Sequence, residues 1–365
     1  MSYLDYQATT PLAPQAFDAM LPWLRDGHAN PHSPHREGRR ARAAVEVARD
    51  QVAALLPQGG KLAFTSGATE ALNWAIKGAL EGGRAGPIVT LATEHAAVLD
   101  TVAAIGRPVT VLPVRSDGLV DLDRAAEAIR PGMGLVAAML VNNEIGVIQP
   151  VAELADLAHA AGALFLCDAV QGYGRVPVPA NVDLVAVSAH KVHGPKGVGA
   201  LWIRDGVRLT PLLHGGGQED PGRSGTLSPA LCAGFGAAAR LMRERADEDR
   251  AHAERLFALA LERLGPDWRV NGSVERRYRG NLNIHRPGLD VARLMSDLRD
   301  VAFSAGSACA SGSGRPSHVL RATGLSDAEA RTSIRLGFGR YTTEEELLGA
   351  LDRVDAAARA QRIAA

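Results

Sequence analysis

Short apolar runs alternate along this chain with stretches in which apolar residues recur every three or four positions. The runs cover 61–64, 87–91, 109–114, 135–141, 163–166, 182–187 and 198–203. Helical patterns lie between them over 68–80 and 151–161. Ahead of them, over 36–56, Ala41, Val45, Ala48, Val52, Leu55 and Leu56 share one helical face opposite Arg39, Arg42, Glu46, Arg49 and Asp50. Strand-length runs alternating with helices predict a seven-stranded, mostly parallel α/β sheet covered on both faces. A long helical pattern over 229–264 follows. Beyond it, strand-like 281–284 and 333–336 flank a helix near 289–298, which predicts a smaller α+β unit. No Ser/Pro-rich linker, repeat or low-complexity stretch separates the two, so they are expected to pack closely.

Composition narrows the function. Forty basic residues balance forty acidic ones, so no net field draws the protein to nucleic acid or to an anionic membrane. No run is long enough to span a bilayer, and the first residues carry neither a basic head nor an apolar core, so a cytoplasmic location is expected. The three cysteines, Cys167, Cys232 and Cys309, are widely spaced. They fit reduced thiols better than a disulfide framework and offer no metal-binding pair.

The chemistry collects where the runs end. Lys191 follows 182–187 directly, within Ser188-Ala189-His190-Lys191. Desolvation at the mouth of a buried strand favours the neutral amine, which condenses with aldehydes, and this suggests pyridoxal phosphate. Asp168 ends another apolar run and could pair with a protonated pyridine nitrogen, with Gln171 within reach of a ring substituent; a helix N-cap is the plainer reading of Asp168, as a surface lysine is of Lys191 and of Lys196. Thr65-Ser66-Gly67-Ala68-Thr69-Glu70 opens a helix, where amides and the Thr69 hydroxyl could meet a phosphate, although ordinary capping explains the same residues. His95 could stack on a flat ring and move protons, or be structural. Asn142-Asn143-Glu144-Ile145-Gly146 also follows a run, and open α/β sheets place ligands at such ends. Cys309 lies in a run of small residues, 304–314, that reads as an exposed loop with an accessible thiol. Cys167 and Cys232 read as small buried hydrophobes.

Together these residues resemble the cysteine desulfurases of the NifS/IscS type, within the class V, fold type I pyridoxal phosphate enzymes. The resemblance runs from Tyr3-Leu4-Asp5-Tyr6-Gln7-Ala8-Thr9-Thr10-Pro11 to Arg340-Tyr341-Thr342-Thr343-Glu344-Glu345-Glu346 and includes Arg223-Ser224-Gly225-Thr226. It implies a large cofactor-binding domain over 13–250 and a small domain made of 1–12 and 251–365 that carries the cysteine loop. It also implies that Lys191 bonds the cofactor and moves the substrate Cα proton, that Asp168 holds the pyridine nitrogen, that Gln171 and Asn143 lie near the ring oxygen, and that His95 stacks and acts as acid or base. Ala68, Thr69, Ser188 and His190 would bind the phosphate, and Thr226 would reach the phosphate of the other subunit of a homodimer. Arg335, with Asn143, would hold the substrate, its guanidinium clamping the carboxylate. Cys309 would take sulfur from L-cysteine as a persulfide, leaving L-alanine, and hand it to an acceptor such as an iron–sulfur scaffold or a sulfur carrier, for cluster assembly or tRNA thiolation. A selenocysteine lyase or another class V aminotransferase-like enzyme is the alternative. Gln7, Ala189 and Ala310 depart from the commoner Ser, Gly and Thr of the family's motifs.

Overall fold

A computed structural model describes residues 1–81, 86–220, 222–306 and 316–361. Its strands are β1 (Ser2–Tyr3), β2 (Gly60–Thr65), β3 (Ile88–Leu91), β4 (Val109–Leu112), β5 (Leu135–Met139), β6 (Leu164–Asp168), β7 (Leu184–Ser188), β8 (Gly199–Arg204), β9 (Arg269–Val270), β10 (Asn281–His285), β11 (Val301–Ala302) and β12 (Ser333–Gly337). Each of the seven apolar runs became a strand of one sheet, ordered β2-β8-β7-β6-β5-β3-β4. Only β8 is reversed, pairing antiparallel with β2 and β7. The other neighbours are parallel.

The runs are continuous because both faces of the sheet are covered. Every residue of β5, β6 and β7 is buried, and strand alternation divides them between two cores. Leu164 and Leu166 face a layer with Leu72, Ile76 and Leu201. Phe165 and Cys167 face the opposite layer with Val52, Phe64 and Phe235. The parallel strands deliver the turns after β2, β3, β5, β6 and β7 to one edge.

A second, three-stranded sheet, β12-β10-β9, is antiparallel throughout. It shares a core of Phe257, Leu282, Ile284, Ile334, Leu336 and Leu351 into which Leu4 inserts. The start of the chain is fastened there: β1 lies parallel to β11, and Asp5 bridges Gly337.

Two features differ from the sequence pattern. The helix expected over 229–264 is two, Pro229–Glu244 and Ala246–Arg263, broken at Arg245, whose φ is −114° and ψ 17°. Asp247, Glu248 and Asp249 crowd the first turn of the second helix, where carboxylates favour an N-terminus. Asp249 is thereby brought to Arg340, with an Nε–Oδ1 distance of 3.0 Å. The helix Pro14–Arg25 is absent from the predicted elements although Phe17, Met20, Leu21 and Leu24 recur at helical spacing; the fold buries Ala16 and Met20 and leaves Phe17, Leu21 and Leu24 exposed.

Candidate active site

The shared edge of the large sheet opens on a cleft of about 590 Å3 lined by Ala68, Thr69, His95, Asn143, Asp168, Gln171, Ser188, His190, Lys191 and Arg335. These come from five separate turns and from β12, and the fold brings them together as the strand-end argument requires. Lys191 ends a single 3-10 turn directly after β7. Its Nζ donates to the carbonyls of Gln7 (2.6 Å) and Ala8 (2.8 Å). Thr10 secures the same segment, its Oγ1 donating to the His190 carbonyl and accepting from the His193 amide. Residues 7–9 therefore form a wall of the cleft. Ala189 takes the family's glycine position without a clash, since the facing residue is Gly194; a Cβ added there would lie 2.9 Å from that of Ala189.

Asp168 closes β6 with its Oδ1 accepting the Val170 amide at 3.0 Å. That turn leaves Gln171 in the cleft, its Nε2 donating to the Gln7 carbonyl and its Oε1 buried without a partner. After β5, Asn142 builds the turn, accepting from the amides of Glu144 and Ile145 and donating to Thr93. Asn143 is the residue of the pair that faces the cleft. His95 caps the helix Ala96–Ala104, its Nδ1 accepting the Ala97 amide at 3.1 Å. The structural and functional readings of His95 thus coexist: the cap fixes the ring that the cleft uses.

Burial shapes the electrostatics. Desolvation holds the Asp168 carboxyl above its ordinary range, although the Val170 amide, His95 and Lys191 pull the other way. Beneath it, fully buried Glu94 is pushed well above the usual carboxylate range by desolvation and then by Asp168. Glu94 accepts the Met139 amide through Oε1 and leaves Oε2 unpartnered. Desolvation, with Lys191 and Lys196 nearby, pushes His190 down to about 4, so its ring is neutral. Burial would raise Glu70, but Arg223 and Ser66 hold it below its usual value. The Glu70–Arg223 pair (2.8 Å) ties the turn at 66–69 to the segment bearing Thr226.

Arg335 is 1% exposed. Its Nη1 donates to the Asn143 carbonyl, and its Nη2 to Asp5 and Ser304. Nε has no partner. These residues fit pyridoxal phosphate. A desolvated Asp168 suits a cationic ring nitrogen, the orphaned Gln171 Oε1 can accept a proton from a ring hydroxyl, and a small-residue turn with open space beside Gly67 begins a 14-residue helix suited to a phosphate.

Thr226 is exposed and does not line its own chain's cleft. Cys309 lies outside the described residues, but the chain on either side of it is moored at the cleft. Ser304 bonds Asp5 and Arg335, Ser317 donates to Glu144, and His318 bonds the Glu94 carbonyl at 2.9 Å. Cys167 and Cys232 are buried, and desolvation raises both thiols, Cys232 to about 12. Lys196 is exposed as expected of a surface lysine, yet it also borders the cleft. The wall at 7–9, the buried Glu94 and Arg175, which donates to the carbonyls of Gln171 and Lys191, were not read from the sequence. Only the Tyr3–Pro11 motif could have pointed to the first of them.

Residues 2–348 match the family model described as Aminotransferase class-V. The chain is 43% identical over 360 residues, 94% of its length and 88% of the relative's, to "Cysteine desulfurase IscS" of Rickettsia bellii. Among solved structures it resembles a "NIFS-LIKE PROTEIN" with a TM-score of 0.88 and 33% identity, covering 98% of this chain and 99% of that one. It also resembles "SspA in complex with cysteine", with a TM-score of 0.82 and 34% identity, covering 94% and 100% respectively.

Proposed function

This chain belongs to the class-V aminotransferase family, and from that premise we propose that it is a pyridoxal 5′-phosphate-dependent cysteine desulfurase, converting L-cysteine to L-alanine and leaving sulfur as a persulfide on Cys309. The observation that carries the reading is one cleft holding Lys191 at the end of β7, Asp168 at the end of β6 and Arg335 on β12. The similar solved structure, SspA in complex with cysteine, favours cysteine as the substrate.

When bound, the cofactor supplies an electron sink that acidifies the substrate Cα–H. Asp168 would hold its ring nitrogen, Gln171 and Asn143 its ring oxygen, and Ala68, Thr69, Ser188 and His190 its phosphate. Of the chain's four lysines, Lys61, Lys77, Lys191 and Lys196, only Lys191 and Lys196 border the cleft, and only Lys191 sits at its floor on the 3-10 turn. Lys191 takes the proton from Cα, and His95, its ring fixed by the cap, is placed as acid or base. Arg335 and Asn143 orient the substrate carboxylate. The Cys309 thiolate then attacks the substrate sulfur. An S–S bond forms, the substrate C–S bond breaks with its electron pair passing to Cβ, and protonation of Cβ together with return of the proton from Lys191 to Cα completes alanine. The persulfide sulfur goes to an acceptor protein, an iron–sulfur scaffold or a sulfur carrier, consistent with the IscS-named relatives.

The division into 13–250 and 1–12 with 251–365 is supported by the separate core that Leu4 shares with residues from Leu256 to Ala358. A homodimer is supported by exposed Phe17, Leu24 and Val47 on neighbouring helices and by Thr226 facing away from its own cleft. A cytoplasmic location agrees with the finding that no described helix is long and apolar enough to cross a membrane.

Cys309→Ser tests the reaction. The variant should keep the cofactor's absorbance and bind cysteine but lose alanine formation, because a hydroxyl is a poor nucleophile toward sulfur. Mass spectrometry of the cysteine-treated wild type should find added sulfur on the Cys309 peptide and not on those of Cys167 or Cys232. Alanine production at the wild-type rate by the variant would overturn the assignment.

A further inference from the structure

A second cavity, about 190 Å3, lies where the helix Ala246–Arg263 and the segment at 277–279 meet the turn at 174–176. Five arginines border it, Arg175, Arg250, Arg277, Arg279 and Arg340, against two carboxylates, Asp249 and Glu254. One of those carboxylates is already taken, since Asp249 pairs with Arg340. No carboxylate oxygen of the described residues lies within ion-pair distance of Arg175, Arg277 or Arg279; they bond carbonyls and stack on aromatic rings.

Arg277 is 3% exposed. Its Nη2 donates to the carbonyls of Ile145 and Asn271, but Nε and Nη1 have no partner, nor has Nη1 of buried Arg340. Arg277 and Arg279 both stack on Phe257, at 5.6 Å and 4.8 Å from its centroid. Desolvation and then the Arg279 charge push the Arg277 guanidinium down to about 9. His193, which also borders the cavity, offers no counter-charge. Water could satisfy the orphaned N–H groups, but only an anion would also offset the uncompensated charge.

We propose that this cavity binds a small oxyanion, a phosphate, sulfate or short carboxylate, through Arg277 and Arg340 with Arg175 and Arg279 beside it. The site is distinct from the cleft and does not depend on the desulfurase reading. It is linked to the cleft through Arg175, whose donors hold the carbonyls of Gln171 and Lys191. An occupant facing Arg175 therefore bears on the backbone that carries the cleft's lysine.

The test is calorimetric titration of the holoenzyme with inorganic phosphate and with butyrate at fixed ionic strength, read beside thermal unfolding, which a bound anion shifts upward. Saturable binding is expected for at least one of the two probes. Arg279→Gln, which removes a wall cation, and Ala246→Glu, which puts a carboxylate at the rim in a helix first turn that tolerates one, should each weaken that binding by about tenfold or more. Arg335→Ala should leave it within twofold, separating this cavity from the substrate-carboxylate clamp. Heats that stay linear for both probes up to about 0.1 M, where general screening dominates, would overturn the proposal. Loss of binding in Arg335→Ala, or unchanged affinity in either cavity variant, would do the same.

Discussion

Replacing Arg335 by alanine separates substrate binding from cofactor retention. A guanidinium has five N–H donors, and Arg335 spends its described bonds on Nη1 to Asn143 and Nη2 to Asp5 and Ser304. Nε–H and one Nη1–H remain, on opposite edges of the guanidinium, so one of them at a time can meet a carboxylate. A hydrogen bond between charged groups contributes about 1.5–3 kcal/mol. The corresponding loss in kcat/KM is about 10- to 10²-fold. Most of it should appear in KM, because the carboxylate does not change charge during the reaction. The fold should survive, since Asp5 keeps the Ser304 hydroxyl at 2.8 Å. Steady-state kinetics with L-cysteine, read beside the cofactor's absorbance, gives both quantities. Arg335→Lys should not restore the affinity, as an ammonium cannot reproduce the planar fork. A KM within threefold of wild type, or loss of cofactor as the main effect, would refute the carboxylate role.

Lys191→Ala should abolish turnover and the absorbance of protein-linked cofactor, and the melting temperature should fall as residues 7 and 8 lose their tether; normal steady-state activity would contradict the assignment. Desolvation, followed by Arg340 and Arg175, pushes the His193 imidazole down to about 3, despite its bond to the Pro11 carbonyl. The unfolded chain therefore binds the extra proton first as pH falls below about 6.5, and stability should drop by about 1.4 kcal/mol per pH unit toward pH 3 from this group. Because its φ is 66°, His193→Asn is the tolerated replacement, and denaturant titrations from pH 7 to 4 should show a shallower acid slope in that variant. Gly337→Ala would set a Cβ 1.9 Å from the Gln7 side-chain oxygen and 2.8 Å from the Tyr6 amide nitrogen, so a loss of about 1–3 kcal/mol in chemical denaturation is expected; an unchanged midpoint would show that the segment moves freely.

The large sheet was legible because its central strands, buried on both faces, leave near-continuous apolar runs, and even the edge strand β4, with Thr110 and Val111 exposed, keeps a short apolar run. The cleft residues that follow β2, β3, β5, β6 and β7 fit the same logic, since a parallel sheet sends the residues after its strands to one edge, whereas Arg335, on β12 of the antiparallel sheet, was reached only through the family resemblance. What escaped depends on contacts between distant parts of the chain. Nothing near Gln7 or Ala8 shows that their carbonyls receive the Lys191 amine, because a backbone acceptor leaves no mark on residue type. Glu94 looks like a solvated acid beside His95, yet burial raises its carboxyl well above the usual range. The break at Arg245 was hidden because apolar periodicity continues on both sides. The helix Pro14–Arg25 was legible in principle, since Phe17, Met20, Leu21 and Leu24 recur at helical spacing, but most of that stripe faces outward rather than into a core.

The tether from Lys191 to residues 7 and 8 also fixes when the cleft can come into being. Those residues are held by β1 against β11 and by Asp5 against Arg335, so residues 1–9 find their place only after residues beyond 300 have been made. At roughly 5–20 residues per second, they wait some tens of seconds for their partners. The large sheet can fold in that interval, with Lys191 already at the end of its strand. The cleft is then closed late, when residues 1–9 meet those beyond 300, and a nascent chain that stops before residue 300 holds the lysine without the wall that positions it.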